Sequence, residues 1–356
     1  MRADSSATSG SSSPLSARQI LFKELLGCYV SASISVAAQL KLADHVAHGI
    51  DSLESLAAAT GMDTDALRRL LRVLCSLEIF VEDEGVYSPT EKSLLLESER
   101  SGSLWAIAAM ITSPLQWPTL GALLYSIQTG GAAFEHVNGE PHWEFLDSNP
   151  DFHDLFHNAM EAFSVQEAQA ICDAYDFSDV RLVIDVAGGR GDLLLTILDR
   201  APRAQGILFD IESVVDRAIE RLAGDPRGAR VQLTVGDMFD HVPSGADLII
   251  MKNIIHNWPD TRALQLLESC ANSMGPRTRL LICTRVLKPG NVPDPSKLQD
   301  MNMLVNLGGA ERTADEFRML LDKTDLEMME IRDTKSPLSI IICERNSARN
   351  SWRSCG

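Results

Sequence analysis

The sequence predicts an α/β protein in two parts: a mainly helical N-terminal module, then a domain built on a largely parallel sheet with helices on both faces. Three observations carry this. Apolar residues recur at helical spacing through residues 17–78 and again through 103–175. From residue 180 onward, short Val/Ile/Leu runs alternate with helical stripes, the rhythm of βαβ units. One of those runs enters a glycine-rich turn that opens a helix: Ile184-Asp185-Val186-Ala187-Gly188-Gly189-Arg190-Gly191-Asp192.

The chain has 356 residues, enough for two domains and a large core. Its net charge of −17 repels phosphate backbones, so no nucleic-acid partner is expected. No apolar run is read as approaching the roughly 20 residues of a membrane helix, so no membrane partner is expected either. Residues 1–16 are polar and Ser-rich without an apolar segment, and read as a disordered lead-in, not a signal peptide. Residues 347–356 read as a disordered tail. Seven scattered cysteines with no CxxC pair imply reduced thiols and a cytoplasmic protein.

Within the first module, residues 17–102, Leu21, Leu25, Tyr29, Ile34, Ala38 and Leu42 mark helix over 17–47. Ser52 and Thr64 read as caps of two short helices separated by Gly61. Residues 79–90, IFVEDEGVYSPT, read as a hairpin with Gly85 in the turn. Helices followed by a hairpin make the plan of a winged helix, often a DNA reader. Its third helix carries Arg68, Arg69 and Arg72, yet the chain is acidic, so a packing or dimerisation role is expected.

Residues 103–177 form a second helical stretch rich in large side chains, broken into a loop around Gly130–Gly139. Trp105, Met110, Trp117, Phe145, Phe152, Phe156, Met160 and Phe163 either line an apolar pocket or fill a helical core. His153, His157 and Glu161 share one helix face at metal-ligand spacing, but with no third strong ligand nearby they read as a solvated face, and no metal is expected.

Residues 178–346 carry the sheet. Strands are expected at RLVIDV, GILFD, 230–235, ADLIIMKN and RLLICTRVL, with helices after Asp192, at 212–223 and at 260–274. A helix near 313–323 precedes strands near 326–333 and at PLSIIICERN, whose short link DTKSP suits an antiparallel pair at the sheet's end.

The glycine turn brings backbone close to a ligand, and the following helix offers free N–H groups. Asp210 ends the next strand, about 20 residues on, where a carboxylate accepts both hydroxyls of a ribose. Gly236-Asp237-Met238 ends the strand after that and suits an adenine. Nicotinamide dinucleotide enzymes share a turn plus an acid. Two details favour S-adenosylmethionine: the turn lacks full GxGxxG spacing, and Asp185 within the strand suits a cationic amino acid better than a pyrophosphate.

Four blocks then stand in one order: IDVAGGRGD, ILFDIESVV, GDMFDHVPSGADLIIMKNIIHNWPD and DMNMLVNLGGAERT. By these the chain resembles, over about residues 20–345, the class I S-adenosylmethionine-dependent O-methyltransferase family that includes acetylserotonin, caffeic acid and bacterial polyketide O-methyltransferases. The resemblance implies a winged-helix dimerisation domain, a Rossmann-like domain and an intertwined homodimer. It implies that Asp185, Gly188, Gly189 and Gly191 hold the methionine end of the cofactor. Asp210 would hold the ribose, Ile211 and Met238 would pack on adenine, Asp237 would bond it, and Lys252 would lie near the methionine carboxylate or its ribose. It implies His256 as general base and Glu311 as the acid that orients it. Acceptor contacts are expected from Trp105, Met110, Trp117, Met160, Phe163, Asn257, Asn302, Met303 and Asn306.

From the residues alone, His256 reads equally well as a base or as a cap on the helix starting near Asp260. Three positions depart from the family pattern: Ala187 replaces a turn glycine, Asn257 an Asp, and Thr284 a second Glu flanking the His. The expected activity is methyl transfer to a hydroxyl of a small aromatic or polyketide-like metabolite. The alternative is a family member that keeps the cofactor as fixed charge for ring formation or hydroxylation, with Asp300 among its polar groups. A third class is a DNA-binding protein or ligand sensor.

Overall fold

The structure is a computed structural model and describes residues 15–346. Residues 1–14 of the expected lead-in, and the expected tail, lie outside the described residues. The chain divides into two compact units after Ser113.

In the first unit, the stretch read as helix over 17–47 is three helices, α1 (Ala17–Leu25), α2 (Gly27–Gln39) and α3 (Leu42–Ala47). The last break falls where Lys41 turns left-handed at φ 50°. Ser52 caps α4 (Leu53–Thr60), which ends at Gly61 with φ 70°. The cap of α5 (Thr64–Ser76) is Asp63, not Thr64: the Asp63 carboxylate accepts the Ala66 N–H at 2.8 Å. Asp is the stronger cap of the two, and it displaces Thr64 into the first helical position. The hairpin pairs β1 (Phe80–Asp83) with β2 (Val86–Pro89), and both turn residues, Glu84 and Gly85, have positive φ, as a tight two-residue hairpin turn requires. Two further helices, α6 (Glu91–Leu94) and α7 (Trp105–Ile111), complete this unit, and α7 packs on α2.

Helix α1 buries none of its residues, and Leu21, Phe22, Leu25 and, on α2, Tyr29 are exposed. Together α1 and α2 make a helical stretch, Ala17–Gln39, long and apolar enough by length and composition to cross a membrane. That corrects the sequence reading. Interspersed Ser, Gly and Ala hid the stretch from a search for unbroken apolar runs.

The second unit begins with α8 (Gln116–Gly121), α9 (Leu123–Thr129), α10 (Ala133–Asn138), α11 (His142–Ser148) and the 25-residue α12 (Pro150–Ala174). The loop expected between Gly130 and Gly139 contains α10; the two glycines are the left-handed ends of α9 and α10.

Then come β3 (Leu182–Val186), α13 (Asp192–Arg200), β4 (Gln205–Asp210), α14 (Glu212–Ala223), β5 (Val231–Val235), β6 (Leu248–Lys252), α15 (Asp260–Ser273) and β7 (Arg279–Thr284). The run RLLICTRVL breaks at Arg285, and β8 (Val286–Leu287) leaves the sheet to pair with β9 (Arg312–Thr313). Helix α16 (Ser296–Leu307) was not read from the sequence, because only Met303 and Val305 on it are buried and its apolar period is weak. The chain continues through α17 (Ala314–Leu321), β10 (Leu326–Asp333) and β11 (Ser339–Arg345).

Among the described residues the sheet has seven strands in the order β10-β11-β7-β6-β3-β4-β5. Strands β3 to β7 run parallel, and β11 is antiparallel to both its neighbours, as the short DTKSP link suggested. Both faces are buried. Ile184, Phe209 and Ile249 enter one core layer, while Val183, Leu208 and Ile250 enter the other. Strand order reverses between β3 and β6, so a crevice opens at their C-terminal ends.

Candidate active site

That crevice begins at the glycine turn. Ala187 follows β3 with φ 52°, left-handed for a residue with a Cβ, and its N–H bonds the Phe209 carbonyl at 2.8 Å. A Cβ on Gly188 would lie 2.5 Å from Leu208 Cδ1 and 2.7 Å from Asp185 Cγ, so only glycine fits. Gly191, at φ 86°, caps α13. Asp185 is buried inside β3, and its Oδ2 has no hydrogen-bond partner among the described residues. Burial pushes its carboxyl up to about 7, against the pull of Lys252. An orphaned carboxylate oxygen beside a turn that admits no side chain fits a ligand with a cationic end.

Asp210, at the end of β4, accepts the Gly189 N–H at 3.0 Å and the Ile211 N–H at 2.8 Å. Burial raises its carboxyl above the usual range, and these two N–H bonds work against that rise. Beside it Ile211 is half exposed, an apolar side chain open to a planar ligand. Asp237 lies exposed past β5 and accepts the Phe239 N–H at 2.8 Å, while Met238 packs against the core.

A cavity of about 140 Å3 lies along the turn. One wall is a face of α12 that presents His157, Met160, Glu161 and Ser164; the others come from Asp185, the turn, α13 and Lys252. The His153/His157/Glu161 set is therefore solvated only in part: His153 is buried, while Glu161 keeps 43% of its side chain exposed. Glu161 pairs with Arg190 of the turn at 2.9 Å, and His153 meets Arg217 of α14. The His157 ring lies 4.1 Å from that of His153, and burial, reinforced by His153 and Arg217, pulls its imidazole down to about 4.

Lys252 ends β6. Its Nζ lies 3.1 Å from Ser164 Oγ and 3.1 Å from Glu167 Oε2. The same Glu167 oxygen accepts from Asn253 Nδ2 at 2.8 Å, holding a residue with φ 57°. Sequence reasoning missed His157 as a lining residue, and missed Ser164, Glu167 and Asn253 altogether. The signal was present: positions 157, 160, 161, 164 and 167 recur at three to four residues, one stripe of a helix.

His256 sits in a 3-10 turn, Ile255–Asn257, four residues beyond β6. Its Nδ1 lies 2.8 Å from Glu311 Oε1, with both side chains buried. It caps no helix: Pro259 occupies the cap of α15 with no side-chain bond. A carboxylate only accepts, so Nδ1–H donates, and in the neutral ring the lone pair is then on Nε2.

Two devices bring Glu311, 55 residues away, to this ring. A Cβ on Gly309 would lie 2.1 Å from the His256 carbonyl oxygen, so glycine lets the two backbones touch, and the Ala310 N–H bonds that oxygen at 2.9 Å. Buried Arg312 donates to the carbonyls of Ile255, Trp258 and Ala310 and to Asp260, clamping the two loops. Asp300 Oδ1 accepts the Glu311 N–H at 2.9 Å.

Thr284, at the end of β7, is fully buried, and its hydroxyl has no partner among the described residues. Asn257 donates to the Asn253 carbonyl at 3.2 Å. Asn306 donates to Asn302 Oδ1 at 2.9 Å, and Met303 on the same helix is buried. Trp117 on α8 and Met160 on α12 are partly exposed, and Phe163 is half-buried. Trp105 and Met110 lie in the first unit, where the Trp105 indole donates to the Ala38 carbonyl at 2.7 Å and Met110 is buried.

A crevice at a parallel sheet's switch point, with Asp185 in β3, Asp210 at the end of β4, Asp237 past β5 and, on the loop after β6, an imidazole paired with a carboxylate, is the arrangement of a class I methyltransferase. Residues 117–326 match the family model for the O-methyltransferase domain, and residues 22–98 match that for the O-methyltransferase dimerisation domain. The chain belongs to the O-methyltransferase family. It is 38% identical over 329 residues to a phenazine O-methyltransferase of Lysobacter antibioticus, covering 92% of this chain and 96% of the relative. It is 33% identical over 324 residues to an aclacinomycin 10-hydroxylase of Streptomyces purpurascens, covering 89% and 86%. Among solved structures it is similar to an O-methyltransferase from neocarzinostatin biosynthesis in complex with S-adenosylmethionine and 2-hydroxy-5-methyl naphthoic acid. The TM-score is 0.78 with 28% identity, over 89% of this chain and 96% of that one.

The protein is thus an S-adenosylmethionine-dependent O-methyltransferase that acts on small molecules as a homodimer. Most of the apolar stretch in α1 and α2 falls within the dimerisation domain, which explains an exposed helix face in a protein that works in pairs.

Proposed function

We propose that His256 is the general base for methylation of a phenol-type hydroxyl on a small fused-ring aromatic or polyketide-like secondary metabolite. The observation that carries this is the buried His256–Glu311 pair at 2.8 Å, which directs Nδ1–H to the carboxylate and leaves Nε2 to take a proton. Glu311 stabilises the imidazolium that forms. Bound S-adenosylmethionine supplies an electrophilic methyl group on a sulfonium that leaves as a neutral thioether, so no acid is needed on that side.

Asp185, the turn at Gly188, Gly189 and Gly191, and Lys252 would hold the amino acid end of the cofactor. Asp210 would hold the ribose, and Ile211, Asp237 and Met238 the adenine. Met160, Phe163, Trp117, Asn257, Asn302, Met303 and Asn306 are our assignments for the acceptor side. Residues 178–346 serve as the cofactor-binding domain, and 103–177 supply α12 and the acceptor-facing helices. The six described cysteines are free, which suits a cytoplasmic enzyme.

The test is a reaction with methyl-labelled cofactor and a panel of hydroxylated phenazines and naphthoates. Label must appear in product in step with S-adenosylhomocysteine. His256→Ala should lose most turnover and keep cofactor affinity. A second reading, hydroxylation, is favoured by one observation: Thr284 leaves His256 with a single carboxylate, and the chain is similar to a hydroxylase. Product gaining one oxygen with the cofactor unconsumed would select it.

A further inference from the structure

We infer that Glu167 is a charge-setting residue: by neutralising Lys252 it shifts the slot's ratio of affinities toward the cationic cofactor and away from its neutral by-product. This rests on the assignment of Asp185 and Lys252 to the cofactor slot.

S-adenosylmethionine carries a sulfonium, an ammonium and a carboxylate, a net charge of +1. S-adenosylhomocysteine lacks the sulfonium and is net neutral. An unpaired ammonium at the slot therefore disfavours the first more than the second. The slot wall includes Lys252, whose side chain is only 14% exposed. Left alone, that ammonium would repel the methyl donor and spare the by-product.

Glu167 cancels it. The carboxylate, on α12, lies 3.1 Å from Lys252 Nζ and is almost fully buried. Buried charges in contact act nearly as a neutral pair at a distance. With Lys252 paired to Glu167, Arg190 to Glu161 and Asp192 to Arg221 at 3.3 Å, Asp185 is the carboxyl of the slot wall whose Oδ2 has no partner among the described residues. Glu167 also holds Asn253 in its left-handed conformation, three residues before His256, so the same carboxylate fixes where Lys252 stands.

The experiment measures dissociation constants for S-adenosylmethionine and S-adenosylhomocysteine by calorimetry on the full-length dimer, for wild type, Glu167→Gln, Lys252→Met and the double variant. Glu167→Gln should shift the affinity ratio about tenfold toward the by-product. Lys252→Met, which leaves Glu167 unpaired, should shift it the other way. The double variant should return the ratio to within about twofold of wild type. Melting of the ligand-free proteins gives a second readout: each single variant melts lower than wild type, and the double variant recovers. A ratio unchanged in Glu167→Gln, with both affinities falling together, would show a purely structural role and overturn the inference. If Glu167→Gln does not fold, the wild-type, Lys252→Met and double-variant ratios decide alone. Gly188→Val separates this from the slot assignment itself. It should abolish binding of both compounds, and its failure to do so would reject the slot, whatever the ratio does.

Discussion

His256 and Asp185 do opposite work with the same device, a group buried beside one charged partner. Glu311 gives His256 an acceptor for Nδ1–H and company for its positive form. Removing that carboxylate while keeping its shape, Glu311→Gln, should lower kcat by about 10²-fold. The affinity for S-adenosylmethionine by calorimetry should stay within about twofold. Asp185 has only the pull of Lys252, which does not offset its burial. Its carboxyl is held near 7 by burial, so ionisation within the folded protein is opposed. The sign follows. Its contribution to the stability of the ligand-free protein is fully present below pH 4 and is lost as pH rises through 7. A bound cation reverses the balance, favours the carboxylate and expels the proton. Affinity for S-adenosylmethionine should therefore rise from pH 6 to pH 8 with measurable proton release, and Asp185→Asn should flatten that rise. A slope unchanged in the variant would remove Asp185 from the amino acid end.

Between elements, the decisive contact is the one that brings the loop before β9 onto the turn after β6. Gly309 permits it sterically, and Arg312 bonds it from the other side. Gly309→Ala adds one methyl group that would sit 2.1 Å from a carbonyl oxygen, so one backbone must move. Turnover should fall by about 10- to 100-fold, since a displacement near 1 Å at a reacting group has that effect. Cofactor affinity should be nearly kept, because the glycine turn lies elsewhere in the crevice. Equal loss of both in a kinetic and calorimetric comparison would mean that the two loops support the whole crevice.

This contact also marks a limit of the sequence. Glu311 was found only through family resemblance; spacing alone left His256 as a base or a cap. Nothing in the residues before Gly309 announces that His256 lies against them. The β-strands were legible because burial on both faces demands unbroken apolar runs. The α12 stripe was visible but misread, since His157, Glu161 and Glu167 are polar and a polar stripe ordinarily faces water. Here it faces a polar slot.

For the assembled protein, the exposed apolar face of α1 and the start of α2, largely within the dimerisation domain, is the surface expected to meet a second copy. Phe22→Asp with Leu25→Asp places two charges on that face without touching a buried side chain of the unit. Sedimentation should show a monomer, or a dimer weakened by about 10²-fold or more, since desolvating an unpaired charge costs several kcal/mol. A dimer of unchanged affinity would move the interface elsewhere in the first unit.

The amino-acid order alone specified the parallel sheet, the glycine turn with its acids at 185, 210 and 237, and the imidazole in a loop after a strand. These follow from periodicity and local backbone demands, which act over a few residues. Three features came only with the folded chain: which carboxylate meets His256, which one neutralises Lys252, and which cations the His153–Glu161 face meets. Each joins residues 29 to 85 positions apart, and such pairs are set by how loops and α12 pack on the sheet, not by any local pattern.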